Sequence, residues 1–537
     1  MFAQNYDPFG NLDWSIAAAA APLAVLLAAL GFFRLRAAWS VVLAAGVALF
    51  FAVVVDGMPP RMALSAAAFG AAKGLVPLGW IVVNVVFLQQ IVARKGYAVV
   101  LKDSLARACP DQRLQVLLVA FCAASVFEGI AAGGAPVAMT AALLASVGFP
   151  PSQSAALALV AHVAPAAFGA SGSTLGALAA ASGIAPAALA HATARVAPLL
   201  ALLVPWTLVT TLCGWRTAIG AWPVILGVAC TYAVAQALVA VLHGPWLADL
   251  VAAAAACAVL FAWPARWRPR EPWTLPSDRG PGGRKLAPAV HPAGKVARAW
   301  LPWVLLAGVL LLWNATPWRA PLNGISAWQV PWPDLHGLVV ANPPAVAARR
   351  ADPAIFVVGW LSTPGSGVLV AALLTAAVLG SRIVETCRIF IEALWLCRTP
   401  LLTIALVGAL AQVSRSAGHD ATIALAAIGG GILYPLAATW CGALGSAMGG
   451  DALATSPVFG EAVTTAASTL DFDGTAALAA TVVGGAIGRL VDVAAIVATA
   501  AASRASGTEG EILRRVFPAA VALALAAGLL AVIVAAF

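Results

Sequence analysis

The chain has 537 residues, of which 62% are hydrophobic and only 9% charged, with a mean hydropathy of +0.95. Such a composition excludes a soluble domain and implies an all-α polytopic membrane protein. The net charge of +9 would suggest nucleic acid in a soluble protein. Here the retention of basic loops in the cytoplasm accounts for it, and no nucleic-acid partner is expected.

A helical span needs about 20 apolar residues. Such runs recur near 15–33, 38–55, 75–93, 199–213, 221–242, 246–263, 354–379, 421–440 and 516–537. With broken segments counted, about 12–14 spans or half-spans are expected. The first run lacks a basic segment ahead of it and a small-residue cleavage site, and Arg34 and Arg36 follow it at once. It reads as an uncleaved span that ends in the cytoplasm.

Basic residues set the remaining topology. Arg94, Lys95, Lys102, Arg107 and Arg113 mark a second inside segment. The Pro- and Gly-rich stretch 265–299 is the third, with Arg266, Arg268, Arg270, Arg279, Arg284, Lys285, Lys295 and Arg298. Arg382, Arg388 and Arg398 mark a fourth, and Arg504, Arg514 and Arg515 a fifth. The stretch 315–353 reads as outside. The expected organisation is a membrane half 1–264, a cytoplasmic linker 265–299 and a second half 300–537. An outside N-terminus and an outside C-terminus give each half an odd number of crossings, so the halves run in opposite directions. Inverted repeats of this kind are common in secondary transporters. Gly133-Gly134 and Gly169 in the first half are echoed by Gly449-Gly450 and Gly484-Gly485 in the second. The mixed segment 381–398 has apolar residues spaced for an amphipathic helix on the membrane surface.

The segment 126–137 stands out, because Glu128 lies in an apolar run broken by Gly129, Gly133, Gly134 and Pro136. A carboxylate at membrane depth costs roughly 2.5–3.5 kcal/mol on insertion scales. Unpaired backbone is tolerated there only where it is buried in protein or lines a cavity. A broken helix with an ionisable group points to a transport site. No phosphate-binding loop of the GxxxxGK[ST] form and no HExxH pair occurs, so an ion gradient, not ATP, would supply the energy. The eight cysteines (109, 122, 213, 230, 257, 387, 397, 441) are scattered without a CxxC pair. No disulfide framework, metal site or cofactor is expected.

Residues 4–11 (QNYDPFGN), 110–115 (PDQRLQ), 127–129 (FEG), 134–138 (GAPVA) and 164–169 (APAAFG) together resemble the L-lactate permease family, over nearly the full length. The resemblance implies a bacterial inner-membrane proton symporter for small 2-hydroxymonocarboxylates, L-lactate with D-lactate and glycolate. The second half departs from the family pattern. The family's Gly-Ser-Asp-Thr-Ser-Ser-Asn run is Gly445-Ser446-Ala447-Met448-Gly449-Gly450-Asp451 here, and its Gly-Lys-Met-Ile-Ser-Pro-Gln run is 488–494 (GRLVDVA), which keeps the basic residue, as Arg489, and loses Ser-Pro-Gln. The family's Asn-Thr before Ala-Pro is His162-Val163. These departures leave room for a sodium-coupled carrier or an exporter of another small organic anion. A membrane-embedded enzyme or a non-transporting assembly subunit is the rival of another class.

Glu128 and His162 are the expected proton-coupling groups. Gly129, Gly133, Gly134, Gly169, Ser171, Gly449, Gly450, Asp451, Gly485, Arg489 and Asp492 are the expected substrate-binding positions, through half-helix amides or through the charged side chains. The broken segments 126–137 and 442–452 are expected to face each other at the midplane with 162–172 and 484–492. Arg489 and Asp492, three apart, would either neutralise one another or let the guanidinium grip a substrate carboxylate. Lys73, between Gly70 and Gly74, reads as a boundary residue that snorkels. Tryptophans at span ends read as interfacial anchors.

Overall fold

The computed structural model describes residues 1–131, 134–263, 272–278, 287–449 and 457–536. The chain is an all-α polytopic membrane protein. Its helices, in order, are α1 (Leu12–Phe32), α2 (Ala37–Val55), α3 (Pro60–Arg94), α4 (Tyr97–Ala108), α5 (Gln112–Ile130), α6 (Ala135–Ser146), α7 (Pro151–Ala161), α8 (Ser173–Ser182), α9 (Pro186–Cys213), α10 (Trp222–Leu242) and α11 (Ala248–Ala262). They continue with α12 (Ala293–Asn314), α13 (Pro364–Val378), α14 (Ile383–Ala417), α15 (His419–Gly449), α16 (Pro457–Thr469), α17 (Gly474–Gly488), α18 (Val493–Ala502) and α19 (Glu509–Ala536). Among the described residues ten helices are long and apolar enough to cross a membrane, and α17 with α18 forms an apolar pair bent by 42°.

The residue pattern explains why these helices sit as they do. In α2 the buried positions are Ala37, Ser40, Val41, Ala44 and Ala48, small residues at three- and four-residue spacing. Trp39, Val42, Leu43 and Phe50 on the other faces are exposed. Small residues let backbones approach, and large apolar ones meet lipid. Helices α3 and α14 approach closely, and a Cβ on Gly70 would collide with the Gly408 carbonyl and a Cβ on Gly408 with the Gly70 carbonyl.

Two expectations change. The segment 381–398 is not a separate surface helix; it is the first half of the 35-residue α14. Its charges are held by helix–helix ion pairs, Arg94–Glu392 and Lys95–Glu385 at 3.0 Å. The run 354–379 is a strand, Ile355–Gly359, followed by α13. Helix α12 begins at Ala293, inside the stretch read as linker, and another part of that stretch docks: Asp278 meets Lys102 at 2.5 Å and Gln112 at 2.6 Å. The region 315–353 is not helical throughout. Strand Ala327–Pro331 pairs with Ile355–Gly359, and Val339–Ala341 pairs with the N-terminal Phe2–Ala3.

Helix order repeats along the chain. A run of α1, α2 and the 35-residue α3 is matched by α12, α13 and the 35-residue α14. Then α5, a short α6, a tight turn, α7, an unwound stretch, α8 and the 28-residue α9 are matched by α15, α16, a turn, α17, a break, α18 and the 28-residue α19. Packing follows the same exchange. Helix α6 packs on α18 as α16 packs on α8, and α7 on α19 as α17 on α9. The two turns lie at opposite ends of α19: Ser152 hydrogen-bonds Glu511 near its start, whereas Phe472 and Asp473 share a groove with Val534 near its end.

Candidate functional site

Three interruptions in the helices create the site. Helix α5 stops at Ile130 and α6 restarts after Gly134, whose φ of +77° suits a residue without a Cβ. Helix α7 stops before His162 because Pro165 offers no amide to continue it, and two short 3-10 turns carry the chain to α8. Helix α17 ends at Gly488, and the chain turns through 489–492 into α18.

A buried chain of polar groups links all three. The Arg489 guanidinium donates to Glu128 Oε1 at 2.9 Å. Glu128 Oε2 lies 3.0 Å from His162 Nδ1, and His162 Nε2 lies 3.0 Å from Thr140 Oγ1 on α6. A neutral imidazole satisfies every contact, with Nδ1–H donating to the carboxylate and Nε2 accepting from the hydroxyl. The side chains of Glu128 and His162 are 3% and 2% exposed, whereas Arg489 keeps 14%. The guanidinium is therefore the end of the chain that reaches open space.

That space is a cavity of about 330 Å³ between α3, α6, α14 and the stretch 489–495. Its wall includes Lys73, Gly134, Arg415, Gly449, Arg489 and Asp492. Lys73, Arg415 and Arg489 bring cationic groups to this wall beside Asp492, with Glu128 behind Arg489 and Asp420 beside Arg415, and the volume is within the range of small-molecule sites. Lys73 packs its ammonium over the Phe69 ring at 4.7 Å and is in none of the ion pairs among the described residues. Arg415 lies 4.0 Å from Asp420.

The sequence expectations divide as follows. Glu128, His162 and Arg489 come together, with Gly134, Gly449 and Asp492 on the cavity wall. Gly133, Gly450 and Asp451 lie outside the described residues. Ser171 lies in the 3-10 turn Ala170–Gly172. Gly129 does not offer an open amide: it is inside α5, where a Cβ would press on Leu250. Gly169 takes a φ of +68° and is closed over by Thr174. Gly485 lies within the continuous α17, and Gly484 and Gly488 are present because α15 passes against their backbone. Within the segment 484–492 the chain leaves the helix only after Gly488. Asp492 caps α18, accepting from the amides of Ala494 at 3.0 Å and Ala495 at 3.2 Å. Lys73 stands ~20 Å from the start of the 35-residue α3 and lines the cavity.

Thr140, Arg415 and Asp249 were not anticipated. Thr140 carries no signal in an apolar run. Arg415 closes a long apolar stretch after Arg398, which marks a helix end facing something polar. Asp249 sits just after Pro245 and Trp246 and reads as an interfacial helix start, yet it is buried.

A family model described as L-lactate permease matches residues 15–537. The L-lactate permease of Salmonella typhimurium is 31% identical over 525 residues, covering 96% of this chain and 94% of the relative. The glycolate permease GlcA of Escherichia coli K12 is 30% identical over 532 residues with the same coverage. The L-lactate permease of Bacillus subtilis is 29% identical over 532 residues, again at 96% and 94%. This chain belongs to the L-lactate permease family and is a multi-pass transporter of the bacterial inner membrane, not an enzyme.

Proposed function

We propose that the protein carries small 2-hydroxymonocarboxylates, L-lactate with D-lactate and glycolate, together with protons. The observation that carries this reading is the Arg489–Glu128 ion pair at the cavity wall. A guanidinium can present two parallel donors to a carboxylate, and Glu128 Oε1 takes one of them, Nη1, when no substrate is bound. A substrate carboxylate that enters the cavity competes for the same fork. Lys73 and Arg415 line its way in and hold it by charge.

Coupling follows from what is left behind. Once Arg489 turns to the substrate, Glu128 is a buried carboxylate without a counter-charge. Uncompensated burial costs several kcal/mol, so the group takes up a proton instead. His162 is bonded to it and can pass that proton. Substrate anion and proton therefore load together or not at all, which is symport. Proteoliposomes given an inward proton gradient should accumulate radiolabelled L-lactate and glycolate. Accumulation that follows a sodium gradient and ignores the proton gradient rejects the proton assignment. Failure of both anions under either gradient rejects the substrate class.

The two units are read as inverted repeats, a reading supported by their exchanged packing and by turns at opposite ends of α19. In a cysteine-free background, single cysteines at Ser152 and Asp471 should react with an impermeant thiol reagent from opposite sides of the membrane. Reaction from one side only removes the inversion.

A further inference from the structure

The coupling scheme above uses Glu128 and leaves a second buried carboxylate idle. Asp249 stands in the first turn of α11 and is 2% exposed. Its Oδ1 accepts from Tyr232 Oη at 3.2 Å and from Gln236 Nε2 at 2.9 Å. The same Gln236 nitrogen donates to the Ala164 carbonyl at 3.2 Å, in the unwound stretch after α7. Two oxygens are left over. Asp249 Oδ2 and Gln236 Oε1 are both buried and both lack a hydrogen-bond partner among the described residues. None of the ion pairs among those residues includes Asp249.

Glu128 has an arginine; Asp249 has nothing of the kind. The N-terminus of α11 supplies a partial positive charge, short of a full counter-ion. A carboxylate so placed is neutralised by a proton or by a bound cation. The two open oxygens, the Tyr232 hydroxyl and the Ala164 carbonyl are the oxygen ligands that a small monovalent cation takes. In secondary transporters, unwound backbone carbonyls beside helix ends commonly hold the coupling ion. The cluster is also mechanically tied to the first site. Leu250 packs on Gly129, next to Glu128, and Ala164 lies two residues past His162. The titratable groups facing Asp249 and its partners from the elements packed on α11 are Tyr232 on α10, and Glu128 and Cys122 on α5.

We propose that Asp249, Gln236 and the Ala164 carbonyl form a second cation site, loaded with one proton or one sodium ion in each transport cycle. This rests on the symport reading. With the proton on Glu128 alone, one anion and one proton move without net charge. A second cation makes each cycle carry one net positive charge inward, so an inside-negative potential drives uptake.

Proteoliposomes with a valinomycin-set potassium potential and equal pH on both sides test this with radiolabelled lactate. The intact protein should accumulate lactate, and Asp249→Asn should lose that accumulation while keeping uptake driven by a pH gradient. Repeating the measurement without sodium identifies the ion: loss of potential-driven uptake assigns sodium, and persistence assigns the proton. Potential-driven accumulation in Asp249→Asn equal to that of the intact protein overturns the proposal, as does an intact protein indifferent to potential. If Asp249→Asn loses uptake under both gradients, Asp249→Glu decides. Return of potential-driven accumulation upholds the site, and any other result makes Asp249 a group needed for folding and overturns it. An intact protein that takes up neither lactate nor glycolate fails the parent reading before any variant is compared, and this proposal falls with it.

Discussion

Arg489→Gln should abolish lactate uptake and lower the amount of folded protein in the membrane, and adding Glu128→Gln should restore the folded protein but not the uptake. The reason is the pairing across 361 residues of sequence. Removing the guanidinium leaves Glu128 buried without its counter-charge, a loss of about 3–5 kcal/mol for a broken buried pair. Replacing Glu128 by its neutral isostere removes that charge and the penalty with it. Substrate binding is not recovered, because the fork that holds the carboxylate is gone. Arg489→Lys separates charge from geometry. It keeps the cation and loses the planar two-point contact. One charge-assisted hydrogen bond is worth about 1.5–3 kcal/mol, so the KM for lactate should rise by about 10-fold or more while the protein remains folded. Lys73→Gln should raise KM less, since Lys73 lines the cavity without a paired contact of that kind. Purified amounts, thermal unfolding and uptake kinetics read each effect. Near-normal uptake in the Arg489→Gln, Glu128→Gln double variant would show that the pair serves the fold alone.

How far the site could be read from the residues follows from what each one does locally. Glu128 and its glycines break the apolar pattern, so both the break and the carboxylate were visible. Arg489 and His162 were visible for the same reason. What sequence spacing leaves open is partnership. Arg489 lies three residues before Asp492, and an i,i+3 pair or a grip on the substrate fits that spacing alike. In the fold Asp492 also caps its own helix start, and Arg489 reaches Glu128 in the first half of the chain. Asp249 was hidden by its neighbours, since an acid after a Pro-Trp pair at a helix start is an ordinary interfacial feature. Its burial depends on α10 folding over it, which no local pattern records. An apolar run that begins near 75 makes Lys73 read as a boundary residue, whereas α3 starts at Pro60 and carries Lys73 in its interior. The same continuity turned 381–398 from a surface helix into the lower half of α14, whose charges are spent on Arg94 and Lys95. Span existence was therefore legible from hydropathy, whereas span length and the pairing of distant charges were set by packing.

Glu128→Gln, made alone, should abolish accumulation driven by a pH gradient while leaving exchange of internal unlabelled for external labelled lactate within a few-fold of the intact protein. Glutamine fills the same space and can still bond His162 and Arg489. It cannot release a proton, so it resembles the loaded, neutral form of the carboxylate. Exchange needs the substrate site to reorient while loaded and needs no net proton movement. Net uptake needs the site to return empty, and in the empty carrier Glu128 must give up its proton and recapture Arg489. With glutamine that return step lacks its ion pair. The empty return then lacks the Arg489–Glu128 attraction that stabilises the substrate-free carrier, which disfavours it. The variant should also hold lactate at least as tightly as the intact protein, because no carboxylate competes for the guanidinium. Exchange assays and equilibrium binding of labelled lactate measure both effects. Accumulation at the wild-type level in Glu128→Gln would move the coupling proton to another group and leave Glu128 as the counter-ion that holds Arg489 in place.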